Sequence, residues 1–143
     1  MDAKRLVIGT VVGAIALSIF GFLIFDVLLA GFYEDHMSST GINRESQIFW
    51  SLSVGSVLFA LLIAIVLELQ PRPKSIATGM LTGFVVGLLL WGATDFTLYA
   101  IIDLMTLQGT LVDPVVEGVH AAIAGGIMAL VVGKMGGKPQ LAG

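Results

Sequence analysis

The chain has no cysteine among its 143 residues, only four prolines, two tryptophans and two histidines, and just 12% of its residues are charged. Each scarcity excludes something. Without cysteine there is no disulfide framework, no thiolate metal ligand and no cysteine nucleophile. Seven Lys and Arg with no basic run leave nothing to neutralise phosphates, so nucleic acid is not an expected partner. No Gly-rich phosphate loop, hydrolase elbow or Ser/His/Asp arrangement occurs, and no catalytic constellation marks an enzyme. A net charge of -3 is too small to point to any partner.

Apolar surface, by contrast, is abundant. Hydrophobic residues make up 57% of the chain and its mean hydropathy is +1.00. A chain of this size cannot hide so much in a soluble core. A transmembrane helix needs about 20 mostly apolar residues, and four stretches qualify, at approximately 6–33, 48–69, 76–102 and 114–133. The expected fold is all-α, a single integral membrane domain over residues 1–143 built as a four-transmembrane-helix bundle in the lipid bilayer. The opening Met1 to Arg5 and its apolar run are too long for a secretory signal, and no small-x-small cleavage site precedes Phe32 and Tyr33, so a retained first helix is expected.

Lys4, Arg5, Arg72, Lys74, Lys134 and Lys138 fall on one side of this four-pass pattern, with Arg44 alone on the other. By the positive-inside rule both termini are then cytoplasmic, in a bacterial inner membrane. Pro71 and Pro73 predict a tight turn that packs the second and third spans as an antiparallel hairpin. Asp113-Pro114 reads as an N-cap followed by proline at the first helical position of the fourth span. Glu68 is expected to pair with Arg72, four residues on. Every span carries small residues at four-residue steps: Gly9 and Gly13; Ser56, Ala60 and Ala64; Gly79, Gly83 and Gly87; Gly118, Ala122 and Gly126. Such stripes let helices approach in lipid, either within a compact bundle or against a partner chain.

The spans also contain a polar layer. Counted at about 1.5 Å per residue, Asp26 and Asp95 lie at matching heights, and Glu117 and His120 fall at a similar level because the fourth span runs the other way. Glu117 and His120, three apart, share a helix face; Trp91, Asp95 and Tyr99 follow one another at four-residue steps. An outward-facing site is therefore expected from Asp26, Asp95, Glu117 and His120, lined by Trp91 and Tyr99. Two uses are chemically open. Asp95, Glu117 and His120 are a donor set for one divalent metal ion, whereas a di-metal centre would need Glu-x-x-His twice. Alternatively, carboxylates shielded from water exchange protons or bind a cation. A structural reading stands beside both: Asp26 and Asp95 mark the headgroup interface with Trp50, and Glu117 complements a helix dipole. His36, beside Glu34 and Asp35, is expected to be solvated, and Ser51, Ser53 and Ser56 either line a polar groove or simply pack.

The run Trp91-Gly92-Ala93-Thr94-Asp95-Phe96-Thr97, followed by a loop and an acid early in the next helix, resembles the third and fourth helices of a family of small four-helix bacterial membrane proteins of uncharacterised function. In that family an aromatic precedes an Asp that is followed by an apolar residue and Thr, and the first helix carries a further Asp. Asp26, Asp95 and Glu117 are the matching acids, with Glu117 standing where the family has Asp and with a shorter spacing from Asp26 to Phe32-Tyr33. The resemblance covers about half the chain and implies the architecture but no activity. The functional expectation is a polytopic membrane protein whose outer polar site binds a cation or small ligand. Its alternative is a non-catalytic accessory subunit of a larger membrane complex or a homo-oligomer.

Overall fold

A computed structural model describes residues 1–37, 46–70 and 75–135. Arg44, Arg72, Lys74 and Lys138, and the Pro71–Pro73 turn, lie outside the described residues. The chain forms helices α1 (Ala3–Gly21), α2 (Ala30–His36), α3 (Phe49–Leu69), α4 (Ile76–Ile101) and α5 (Leu107–Lys134), with Phe22–Leu28 continuing α1 as a π-helix. Four of these segments are long and apolar enough to cross a membrane: Ala3–Leu28, Phe49–Leu69, Ile76–Ile101 and Leu107–Lys134.

Local chemistry explains the ends. The Asp2 carboxylate caps α1 by accepting the N–H groups of Lys4 and Arg5, Ser75 caps α4 through Thr78 N–H, and Thr106 caps α5 through Gly109 N–H. The last of these corrects the expected start of the fourth span. Asp113 is not its N-cap and Pro114 is not its first residue; both sit inside α5. A long apolar helix satisfies its backbone internally, so extending α5 to a good cap at Thr106 outweighs the N–H that Pro114 withholds from the Thr110 carbonyl. The first span departs as well. The unbroken helix expected over 6–33 is π-wound from Phe22, as the bond from Leu29 N–H to the Ile24 carbonyl (2.8 Å) marks, and it is interrupted at Leu29 before α2 begins.

Helix α1 lies against α3 and α5, and α5 lies against α4, so the packing order is α3–α1–α5–α4. The expected α3–α4 hairpin is not a packed pair, since these two helices touch only slightly. A tight turn makes helices consecutive, but the stripes decide which faces meet. A Cβ at Gly79 would collide with the Gly125 carbonyl oxygen and one at Gly83 with that of Ala121, while at Gly87 it would sit 2.7 Å from that of Glu117. Only glycine lets the α4 and α5 backbones come so close. Gly9 and Gly13 of α1 receive Ala64 and Ala60 of α3 and Met128 of α5, beside a core of Ile63, Leu67, Ala121 and Ala129. All four small-residue stripes are thus used inside the chain.

Arg5 closes this end. Its Nη2 donates to the Val132 carbonyl (2.8 Å) and its Nε lies 3.5 Å from a Glu68 carboxylate oxygen, with both side chains at most 4% exposed. Glu68 thus meets Arg5 across the bundle; the expected pairing of Glu68 with Arg72 lies outside the described residues. These contacts bring the start of α1, the end of α3 and the end of α5 to one face, the basic end; the opposite face is the acidic end.

Candidate functional site

At the acidic end, α1 and α5 are joined through His120. Its Nε2–H donates to the Leu17 carbonyl (2.9 Å), and its Nδ1 lies 3.0 Å from Oε2 of Glu117. Gly21 leaves the imidazole its space, since a Cβ there would lie 3.4 Å from Cε1 and Nε2. Phe25, on the π-wound turn, packs its ring against the imidazole at 5.6 Å and 78°. Because Nε2 must donate to a carbonyl, a single proton links Nδ1 to Glu117 whichever of the two owns it, and the pair is neutral overall. Both ring nitrogens are engaged, so no imidazole lone pair faces a metal. Among the described residues no three His, Asp or Glu side chains are grouped so as to hold a metal ion, Asp95, Glu117 and His120 included.

Asp95 belongs to a second group. It is 6% exposed, and the carboxyl of Asp113 on α5 lies within hydrogen-bonding reach. Asp113 in turn accepts the Tyr33 hydroxyl through Oδ1. Burial, then the hydrogen bond to Asp113, raises the Tyr33 phenol above its ordinary range, so it remains a donor at neutral pH. Tyr33 is held by α2, whose rings Tyr33, Phe32 and His36 follow one another in contact, and Tyr33 also meets Phe25 of the π-wound turn. The α2 end is tied to the α4–α5 connection by the bond from Thr106 N–H to the His36 carbonyl (2.9 Å) and by the pairing of Met37 with Met105. His36 is thus half-buried at a helix end, its Nδ1 2.7 Å from the Phe32 carbonyl, in place of the expected solvated loop position. Beneath this cover a cavity of about 10 Å³ is lined by Asp95, Tyr99, Met105 and Thr110.

A far larger space is a cleft of about 600 Å³ where α3 stands away from the bundle. The buried residues of α3 run from Ala60 to Leu67; its other half, from Phe49 to Ser53, is exposed. Glu117, His120, Trp91 and Asp26 line the cleft, with Ser18 and Ser56 where α1 and α3 part. Their hydroxyls meet at 3.3 Å. The Trp91 indole N–H is buried and has no acceptor among the described residues.

The six expected site residues are therefore divided between two places. Trp91, Glu117, His120 and Asp26 border the cleft, while Asp95 and Tyr99 border the small cavity. Asp26 does not join Asp95. It is exposed on the cleft rim, because each π-turn takes in more residues than an α-turn and rotates the residues beyond it. Tyr33 and Asp113 were missed as site residues. The only signal for Asp113 was the one misread as a cap, and nothing local marks Tyr33.

Comparison with protein-family models, curated proteins and solved structures finds no match for this chain. Function is therefore read from the geometry alone.

Proposed function

We propose that this chain is a four-span membrane protein whose acidic-end cleft binds a small organic cation. The observation that carries the reading is the lining of the cleft. The rings of Phe22, Phe25, Phe59 and Trp91 line a space of about 600 Å³, and Glu117 and Asp26 add acceptors. A pocket of that volume, mostly apolar with a few placed polar groups, is of ligand-binding size. An ammonium or phosphonium group gains from aromatic rings and from the carboxyl oxygens of Asp26 and Glu117.

The seating in this reading is a bacterial inner membrane with both termini cytoplasmic, on the strength of Lys4, Arg5 and Lys134 at the basic end and Arg72, Lys74 and Lys138 in the sequence. The cleft then faces outward. Membership of the small four-helix bacterial family is part of the same proposal. The accessory-subunit alternative loses the feature that prompted it, because the glycine stripes are occupied within the chain.

Calorimetric titration of the detergent-purified protein with tetraphenylphosphonium tests the reading. Saturable binding is expected, weakened about tenfold or more, equivalent to roughly 1.4 kcal/mol, by Glu117→Gln and also reduced by Trp91→Leu. Absent saturation, or equal affinity in Glu117→Gln and Asp26→Asn, would overturn it.

A further inference from the structure

Asp95 and Asp113 face each other in a setting that two carboxylates cannot occupy. Both are buried, at 6% and 7% exposure, and Oδ2 of Asp95 receives no hydrogen bond from any donor among the described residues. Its neighbour across the α4–α5 contact is the Asp113 carboxyl. Neither bare carboxylate can donate, so the contact becomes attractive only when one of them carries a proton. Among the described residues, the other groups facing the pair do not supply positive charge. They are Glu117 of α5 and Tyr33 of α2. His120 is committed to Glu117, and Arg5 lies at the basic end.

We propose that Asp95 and Asp113 form a binding site for a single proton, carried on Asp95 and donated to Asp113. The order follows from the acceptors. Asp113 already accepts from Tyr33 and so becomes an anion held by two donors, whereas Asp95 has an oxygen with no other use. The cavity beside Asp95, about 10 Å³, has room for one water. Its walls include Leu104 and Met105 of the α4–α5 connection, which gives the proton a short route toward the acidic-end surface. Helix α2 covers that route through the Tyr33–Asp113 and Thr106–His36 bonds, so exchange requires α2 to lift. Asp95, Asp113 and Tyr33 do not line the cleft, and loss of either proposal leaves the other standing.

Infrared spectroscopy of the full chain in liposomes, with and without ¹³C-carboxyl aspartate, provides the test. At neutral pH a protonated-carboxyl C=O band is expected that shifts with the aspartate label, remains in Asp26→Asn and is lost in Asp95→Asn. Tyr33→Phe keeps both carboxyls but removes one donor from Asp113, and must shift the band, which covers the case in which Asp95→Asn does not fold. No such band in the unsubstituted protein, a band that persists in Asp95→Asn, or a band unmoved in Tyr33→Phe would overturn the assignment.

Discussion

At the basic end, α3 is sealed against α1 through Ala60 and Ala64, the α4 and α5 backbones touch through Gly79 and Gly125, and the buried Arg5 has the Glu68 carboxylate within 3.5 Å. At the acidic end, α3 stands off, α1 winds as a π-helix, Pro114 interrupts the hydrogen-bonding of α5, and four ionisable residues, Asp95, Asp113, Glu117 and His120, are buried within a few turns of one another. The same helices build both ends. The difference is that small residues allow contact without a cavity, whereas bulky aromatics and carboxyls cannot interdigitate as closely. Irregular backbone in a long apolar helix is tolerated where it is covered by protein or lines a cavity, and here it accompanies the cleft.

The contrast can be broken most severely at Arg5. Replacing it with Met takes the cation from a buried ion pair and should cost about 3–5 kcal/mol, seen as a large drop in Tm in detergent. The double variant Arg5→Met, Glu68→Met should recover most of the loss. If it does not, the two residues do not act as a pair. Next in size is a test along one helix. Gly83→Ala drives a Cβ into the Ala121 carbonyl oxygen, while Gly92→Ala meets only Pro114 at 3.7 Å. The first should lose about 1–3 kcal/mol by overpacking and the second less than about 0.5 kcal/mol, both read from unfolding. Equal losses would erase the distinction between the ends.

Smaller effects sharpen the acidic end. Tyr33→Phe removes a donor to Asp113 and should cost about 1 kcal/mol at neutral pH. Because the phenol is raised in the folded state, its contribution is complete below the ordinary value of 10.0 and declines as pH rises through the folded value. The Tm difference between the unsubstituted protein and Tyr33→Phe should therefore narrow at strongly alkaline pH. The smallest change is expected for Ser56→Ala, which severs the 3.3 Å contact with Ser18 and should cost about 0.6 kcal/mol. It sits where α3 begins to part from α1, so its effect on tetraphenylphosphonium affinity should exceed its effect on Tm.

Much of this was legible along the chain. The spans over 48–69 and 76–102 agree with α3 and α4 to within two residues, and the four-step stripes marked the residues that later proved to be in contact. Glu117 and His120 were paired correctly from their i, i+3 spacing. What failed did so at irregular backbone. Pro114 is a helix starter by its local chemistry, yet Thr106 caps α5 eight residues earlier. Asp26 and Asp95 match in height, but height says nothing of azimuth once a π-turn intervenes.

By itself the sequence determined that the chain is helical, how many segments are long and apolar enough to cross a bilayer, and which residues allow close approach. These are properties of single helices, which in lipid must satisfy their own backbone groups, so length and apolarity suffice to specify them. The tertiary structure alone decided that α4 packs on α5 and not on α3, that Asp113 faces Asp95 under Tyr33, and that Glu117, His120 and Trp91 share an open cleft. Those outcomes depend on how each helix is rotated and shifted against its neighbours, and one π-turn or one early cap changes that for every residue beyond it.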